Sequence, residues 1–137
     1  MTDQLFIGID SGTQGTKGVV FSRKKGRIQA EAYTDHQLIE NIGGRREQEP
    51  EWWIKACSTV LGRLMKKINV SRDMICAIGV SGQQHGMVPL DARGDVIRPA
   101  KLWCDTETAP QCDQITDHIG SPAKVIELIG NSVAAGF

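Results

Sequence analysis

The chain has 137 residues, with 16 basic and 16 acidic side chains that cancel to zero formal charge. Hydrophobic residues make up 40% and charged residues 23%, an ordinary globular balance that argues against general disorder. A neutral surface lacks the electrostatic footprint of nucleic-acid or acidic-membrane binders, and no apolar run is long enough to span a bilayer, so neither partner is expected.

Leu5 to Asp10 is a short apolar, β-branched run closed by Ser-Gly, which reads as a buried strand. A second run follows from Lys17 to Arg23. Lys24 to Arg27 make a turn, and Ile28 to Thr34 alternates like a half-buried strand. The three read as an antiparallel meander joined by one long glycine-rich turn and one tight one. Residues 35–49 are polar and read as a surface loop. Pro50 suits the first position of a helix, with Glu49 a mediocre cap before it. Trp53, Cys57, Val60, Leu61, Leu64 and Ile68 then recur at helical spacing, and Trp52 and Trp53 are expected to pack the core.

Met74 to Ser81 reads as a further strand and Met87 to Leu90 as a short one. Asp91 to Asp95 is a turn, Lys101 to Trp103 an extended piece, and Thr108 to Ile119 and Pro122 to Ile129 are helices. Gly130 to Phe137 is a small apolar tail. The four cysteines are spaced 19, 28 and 8 apart, with no C-x-x-C, which argues against structural zinc. Cys57 and Cys76 fall in apolar runs and read as buried free thiols of a reducing compartment. The N-terminus has no basic leader, so the cytoplasm is the expected address. His36 and His118 read as solvated and receive no role.

Three stretches carry the chemistry. Asp10-Ser11-Gly12-Thr13-Gln14-Gly15-Thr16-Lys17 joins two strands. Its glycines allow backbone amides to approach an anion, and Thr13 and Thr16 can donate further bonds. Lys17 can neutralise a phosphate, and Asp10 can hold Mg²⁺. It is neither a Walker A loop nor G-x-G-x-x-G, and an ordinary hairpin with turn glycines would read the same way. In Ser81-Gly82-Gln83-Gln84-His85-Gly86-Met87, a strand end is followed by a glycine-bracketed polar triplet. Gln84 and His85 could bond sugar hydroxyls there, or His85 is a plain loop histidine. In Leu102-Trp103-Cys104-Asp105, an indole could stack on a sugar and Asp105 accept from its hydroxyls. The alternative is a part-buried Trp beside a helix-capping acid.

Taken in order, Ile-Gly-Ile-Asp-Ser-Gly-Thr, Glu-Gln-Glu-Pro-Glu-Trp-Trp, Gly-Gln-Gln-His-Gly, Arg-Pro-Ala-Lys-Leu-Trp-Cys-Asp and Ile-Gly-Asn resemble the FGGY family of carbohydrate kinases. Within that family the match is strongest to the branch acting on the ketopentose D-xylulose. The resemblance implies an α/β fold, the actin-like, ribonuclease-H-like half of a two-domain kinase. Its mixed sheet would start with an antiparallel three-stranded meander flanked by helices and be incomplete at the C-terminus. Residues 1–137 would be a partial N-terminal, sugar-binding domain, without the second, ATP-binding domain or the general-base aspartate.

By the same resemblance ATP and Mg²⁺ are the cofactors, with Asp10 on the metal and Gly12, Thr13, Gln14, Gly15 and Lys17 on the phosphates. Gln84, His85, Trp103 and Asp105 would contact the sugar. Two departures stand out: Glu107 occupies a position that is often arginine in the family, and Cys104 one that is commonly asparagine. The parent would phosphorylate D-xylulose, and the isolated chain is expected to be inactive and prone to self-association along an uncovered sheet edge. Rival readings are another FGGY kinase (for ribulose, glycerol or gluconate), a non-catalytic sugar- or phosphate-binding module, and a remnant of another actin-like ATPase.

Overall fold

The computed structural model describes residues 3–136, so Phe137, the last residue of the apolar tail, lies outside the described residues. The chain divides into two compact units: Met1–Gln37 with Glu49–Gln83, and Leu38–Gln48 with Gln84–Phe137. The backbone therefore leaves the first unit and returns to it before leaving again.

The first unit is built on strands β1 (Leu5–Ser11), β2 (Gly15–Ser22), β3 (Arg27–Asp35) and β6 (Ile75–Gly82) in the order β3-β2-β1-β6. The expected meander is present: β1 pairs antiparallel with β2, and β2 with β3. β6 then joins the free side of β1 in parallel register, which aligns Asp10 with Ser81. Both connections in the meander are tight. The one expected to be long is closed by Gly12 N–H donating to Gly15 C=O at 3.0 Å, leaving Thr13 and Gln14 as its tip.

Helix α1 (Pro50–Ile68) lies over β1, β2 and β3. Pro50 opens it without a side-chain cap from Glu49, and left-handed Asn69 closes it by donating its N–H to Met65 C=O. Odd-numbered Leu5, Ile7 and Ile9 of β1 meet Val20, Ala30 and Ala32 from the other strands beneath Val60 and Leu64. Close approach here needs Gly18, where a Cβ would come 2.4 Å from Val60 Cγ1 and 2.9 Å from Leu64 Cδ1. Trp52 and Trp53 are only half-buried and lie outside this core.

Cys76 is exposed rather than buried, and Cys57 is half-buried. For Cys76 the reason is β6, which has only β1 beside it among the described residues and carries Ile78 54% and Val80 71% exposed. An apolar run marks strand propensity, but burial depends on what covers the strand.

The second unit holds a three-stranded antiparallel sheet, β4 (Ile39–Glu40), β5 (Arg46–Gln48) and β7 (Ala100–Lys101), with α2 (Ala109–Ile119) and α3 (Pro122–Ile129). β4 and β5 fall where the polar sequence reads as a loop. Conversely, the strand expected over Met87 to Leu90 is reduced to two isolated bridges, Met87 to Lys101 and Leu90 to Val96. The Asp91–Asp95 turn is present, with Asp91 N–H donating to Asp95 C=O at 2.9 Å. Ser121 caps α3 by accepting from Lys124 N–H, and Gly120 and Gly130 close the two helices in left-handed conformation.

Candidate functional site

In the first unit, strand alternation sorts the hairpin residues onto two faces. Asp10 and Lys17 are cross-strand neighbours on the face away from α1, and both are exposed. Together with Gly8, Ile9, Val19, Gly79, Val80 and Ser81 they line an open cavity of about 470 Å³. Ser81 Oγ donates to Asp10 Oδ1 at 2.7 Å, fixing the carboxylate at the carboxyl ends of two parallel strands. The other oxygen, Oδ2, lies beside Gly12. An exposed carboxylate with one oxygen engaged suits a hard cation such as Mg²⁺. Lys17 Nζ pairs with Glu31 at 3.1 Å, but both side chains are more than half exposed, so the pair is worth under about 1 kcal/mol and opens readily.

Ser11 and Thr16 fall on the covered face. Thr16 is fully buried, with Oγ1 3.3 Å from Ser11 Oγ and 2.9 Å from His36 Nε2. Its hydroxyl therefore serves the fold and does not reach an anion at the tip, which corrects one expectation. Gly12 N–H is likewise used within the turn. Gly15 is required by packing: a Cβ there would lie 2.4 Å from Tyr33 Oη and 2.6 Å from Thr34 C=O. Gln14 is at the exposed tip, its carbonyl accepting from His36 N–H and Tyr33 Oη. Thr13 Oγ1 donates to Gln83 Oε1 at 3.1 Å, and Gln83 N–H donates to Ser11 C=O, so the hairpin is tied to the segment after β6.

Ser81, Gln83 and His36 are thus site residues that sequence reasoning did not assign. His36 is part-buried against the hairpin rather than solvated. Burial holds its imidazole below the usual pKa, against the opposing pull of the Gly12 and Thr13 carbonyls and the Asp35 carboxylate.

In the second unit, Gln84 and His85 are exposed, and His85 has a left-handed backbone with φ of 55°. Such a conformation is uncommon outside glycine, with His among the residues that adopt it most readily. Two residues on, Met87 N–H donates to Lys101 C=O, bringing this loop alongside β7 and the segment leading to Trp103. Trp103 is 53% exposed and follows Leu102, which is buried.

Asp105 is only 2% exposed. Its Oδ2 accepts from Arg46 N–H at 2.8 Å and Lys101 Nζ at 3.0 Å, and its Oδ1 accepts from Glu107 N–H at 3.0 Å. Burial raises its pKa, but these three donors outweigh that and hold it below the usual value. Lys101 also reaches Glu47 at 3.1 Å and Glu107 at 2.8 Å, while Arg98 bonds Glu47 and Arg45 pairs with Glu107. The three carboxylates approach within 4.8 Å of one another, a spacing that could hold a metal, but the Lys101 ammonium occupies the cation's place. Glu107 is a member of this network.

The FGGY family of carbohydrate kinases, N-terminal domain, matches residues 5–137. A xylulose kinase of Haemophilus influenzae is 40% identical over 97% of the chain, and one of Streptomyces coelicolor 36% identical over 97%. The chain spans about a quarter of the length of these relatives, 28% and 26% respectively. A crystal structure described as a xyloylose kinase from Brucella ovis superposes with a TM-score of 0.80 at 32% identity, covering 98% of this chain and 27% of that one. The mixed sheet and its helices are therefore those of the actin-like kinase fold. From Leu5 onward, this chain belongs to the FGGY family of carbohydrate kinases.

Proposed function

We propose that this chain is the sugar-binding N-terminal part of an ATP-dependent D-xylulose kinase, the whole enzyme moving the γ-phosphoryl group of ATP to the 5-hydroxyl of D-xylulose. The observation that carries this reading is the 40% identity to a xylulose kinase over nearly the whole chain.

In this reading the Gly12–Gly15 turn, with Thr13 and Gln14 at its tip and Lys17 beside it, meets the phosphates of ATP. Lys17 exchanges Glu31 for phosphate charge, a step made cheap by its exposure. Asp10, held by Ser81, carries Mg²⁺, which when bound neutralises charge on the phosphoryl oxygens. Gln84, His85 and Trp103 contact the sugar through hydrogen bonds and stacking. Asp105 holds the Trp103–Glu107 segment in the shape that presents the indole, since both of its oxygens already accept bonds from the chain. Phosphoryl transfer rests on positioning and charge neutralisation, so a quarter-length chain supplies binding groups but no turnover by itself.

Calorimetric titration of D-xylulose, D-ribulose and glycerol into the wild-type chain and His85→Ala tests the proposal. Xylulose-selective heat that disappears in His85→Ala supports it. Selective heat with glycerol or ribulose refutes the substrate, and silence with all three refutes the sugar site. Added ATP should give no sugar-dependent ADP release from the chain alone.

A further inference from the structure

We propose that His36 is a positioning residue for the phosphate-facing turn, holding Thr13 and Gln14 in place through Thr16 and the Gln14 carbonyl. The inference rests on the reading of that turn given above and adds a residue that the motif does not contain.

Two independent bonds join His36 to the hairpin. Its N–H donates to Gln14 C=O at 2.9 Å, and its ring Nε2 lies 2.9 Å from Thr16 Oγ1. Thr16 in turn lies 3.3 Å from Ser11 Oγ, so one chain of polar contacts crosses the hairpin just below its tip. Ring Nδ1 is buried and has no hydrogen-bond partner. An unmet buried N–H is rarer than an unmet acceptor. With the proton on Nε2, the ring donates to Thr16 Oγ1 and Thr16 donates to Ser11 Oγ.

The groups facing the ring are the Thr16 hydroxyl, the Gly12 and Thr13 carbonyls and the Asp35 carboxylate. Neither carbonyl meets Nδ1 in bonding geometry, yet both belong to the turn itself. Adding a proton to Nδ1 would make it a donor beside them and pull the turn toward the ring. The neutral ring thus sets one shape of the tip and the charged ring another.

The test uses the ¹⁵N-labelled chain as wild type, His36→Gln and His36→Phe, with inorganic tripolyphosphate as the probe. Gln can donate an amide N–H close to the place of Nε2, whereas Phe fills the volume without a bond. Without ligand, the Gly12–Gly15 amide signals should move in His36→Phe and stay near wild type in His36→Gln. In wild type they should follow the titration of the His36 ring. Losing one neutral hydrogen bond should weaken tripolyphosphate binding about 2–10-fold in His36→Phe, and much less in His36→Gln.

Unchanged turn signals and affinity in His36→Phe, or wild-type turn signals that stay flat while the ring titrates, overturn the inference while leaving the anion site standing. If the ligand-free behaviour is as expected but tripolyphosphate shifts none of the turn amides, the anion reading fails and the inference falls with it. If His36→Phe unfolds, the pH response decides: its loss in folded His36→Gln with binding retained supports the role, and its persistence refutes it.

Discussion

Replacing Asp105 with alanine separates a residue that builds the site from one that only touches the substrate. The side chain is almost completely buried, and it is the acceptor for two backbone amides, Arg46 and Glu107, as well as for Lys101. Deleting it strands both amides, at a cost of about 1–3 kcal/mol each. Lys101 keeps Glu47 and Glu107, so no buried cation is left alone, and the burial cost of the carboxylate is recovered. The net loss should be about 3 kcal/mol, the low end for breaking a buried ion pair. For a chain of this length that lowers the melting temperature by roughly 10 °C. Thermal unfolding followed by circular dichroism reads it directly. If Asp105→Ala melts within about 2 °C of wild type yet loses xylulose binding, Asp105 is a substrate contact and its network is dispensable.

Two further predictions follow from the first unit. Gly18→Ala forces a methyl against Val60 and Leu64 and should destabilise the chain by about 1–3 kcal/mol in urea unfolding, with no change if α1 shifts freely. Stability should also depend on pH through His36. Its folded pKa lies below the ordinary 6.5, so the unfolded chain binds the proton more readily. The His36 contribution is therefore complete above about pH 6.5 and is lost as the pH falls toward the depressed folded value. In His36→Gln that part of the slope should vanish from a urea-midpoint series between pH 7 and 5, and an unaltered slope would contradict the burial argument.

What could be read from the chain follows from how local each signal is. α1 announces itself through Pro50 and a period of three and four, and the meander through alternating short strands, because both are written within a few residues. β5 is invisible for the opposite reason. Its buried residues are Glu47 and Gln48, polar side chains that belong inside only because Lys101 and Arg98 arrive from about 50 positions away to satisfy Glu47. A still longer separation, 71 and 70 positions, hides the parallel pairing that puts Ser81 on Asp10 and Gln83 on Thr13. Asp105 shows the limit within a legible motif. The sequence marks it as chemically important but cannot show that three donors from the chain already occupy it. His36, outside any motif, gains its place only once β3 brings it under Thr16.

The interleaved course of the backbone, which visits the second unit at Leu38–Gln48 long before Gln84, has a consequence for biosynthesis. When β5 leaves the ribosome, the strand that completes its sheet does not yet exist: Glu47 pairs with Lys101, 54 residues downstream. At about 5–20 residues per second, β5 waits roughly 3–10 s for β7. During that interval Glu47 lacks the lysine it will share and must remain hydrated. The nascent chain can close its meander and lay down α1 first, and synonymous codons that alter the pace between positions 48 and 101 would change how long that half-finished state persists.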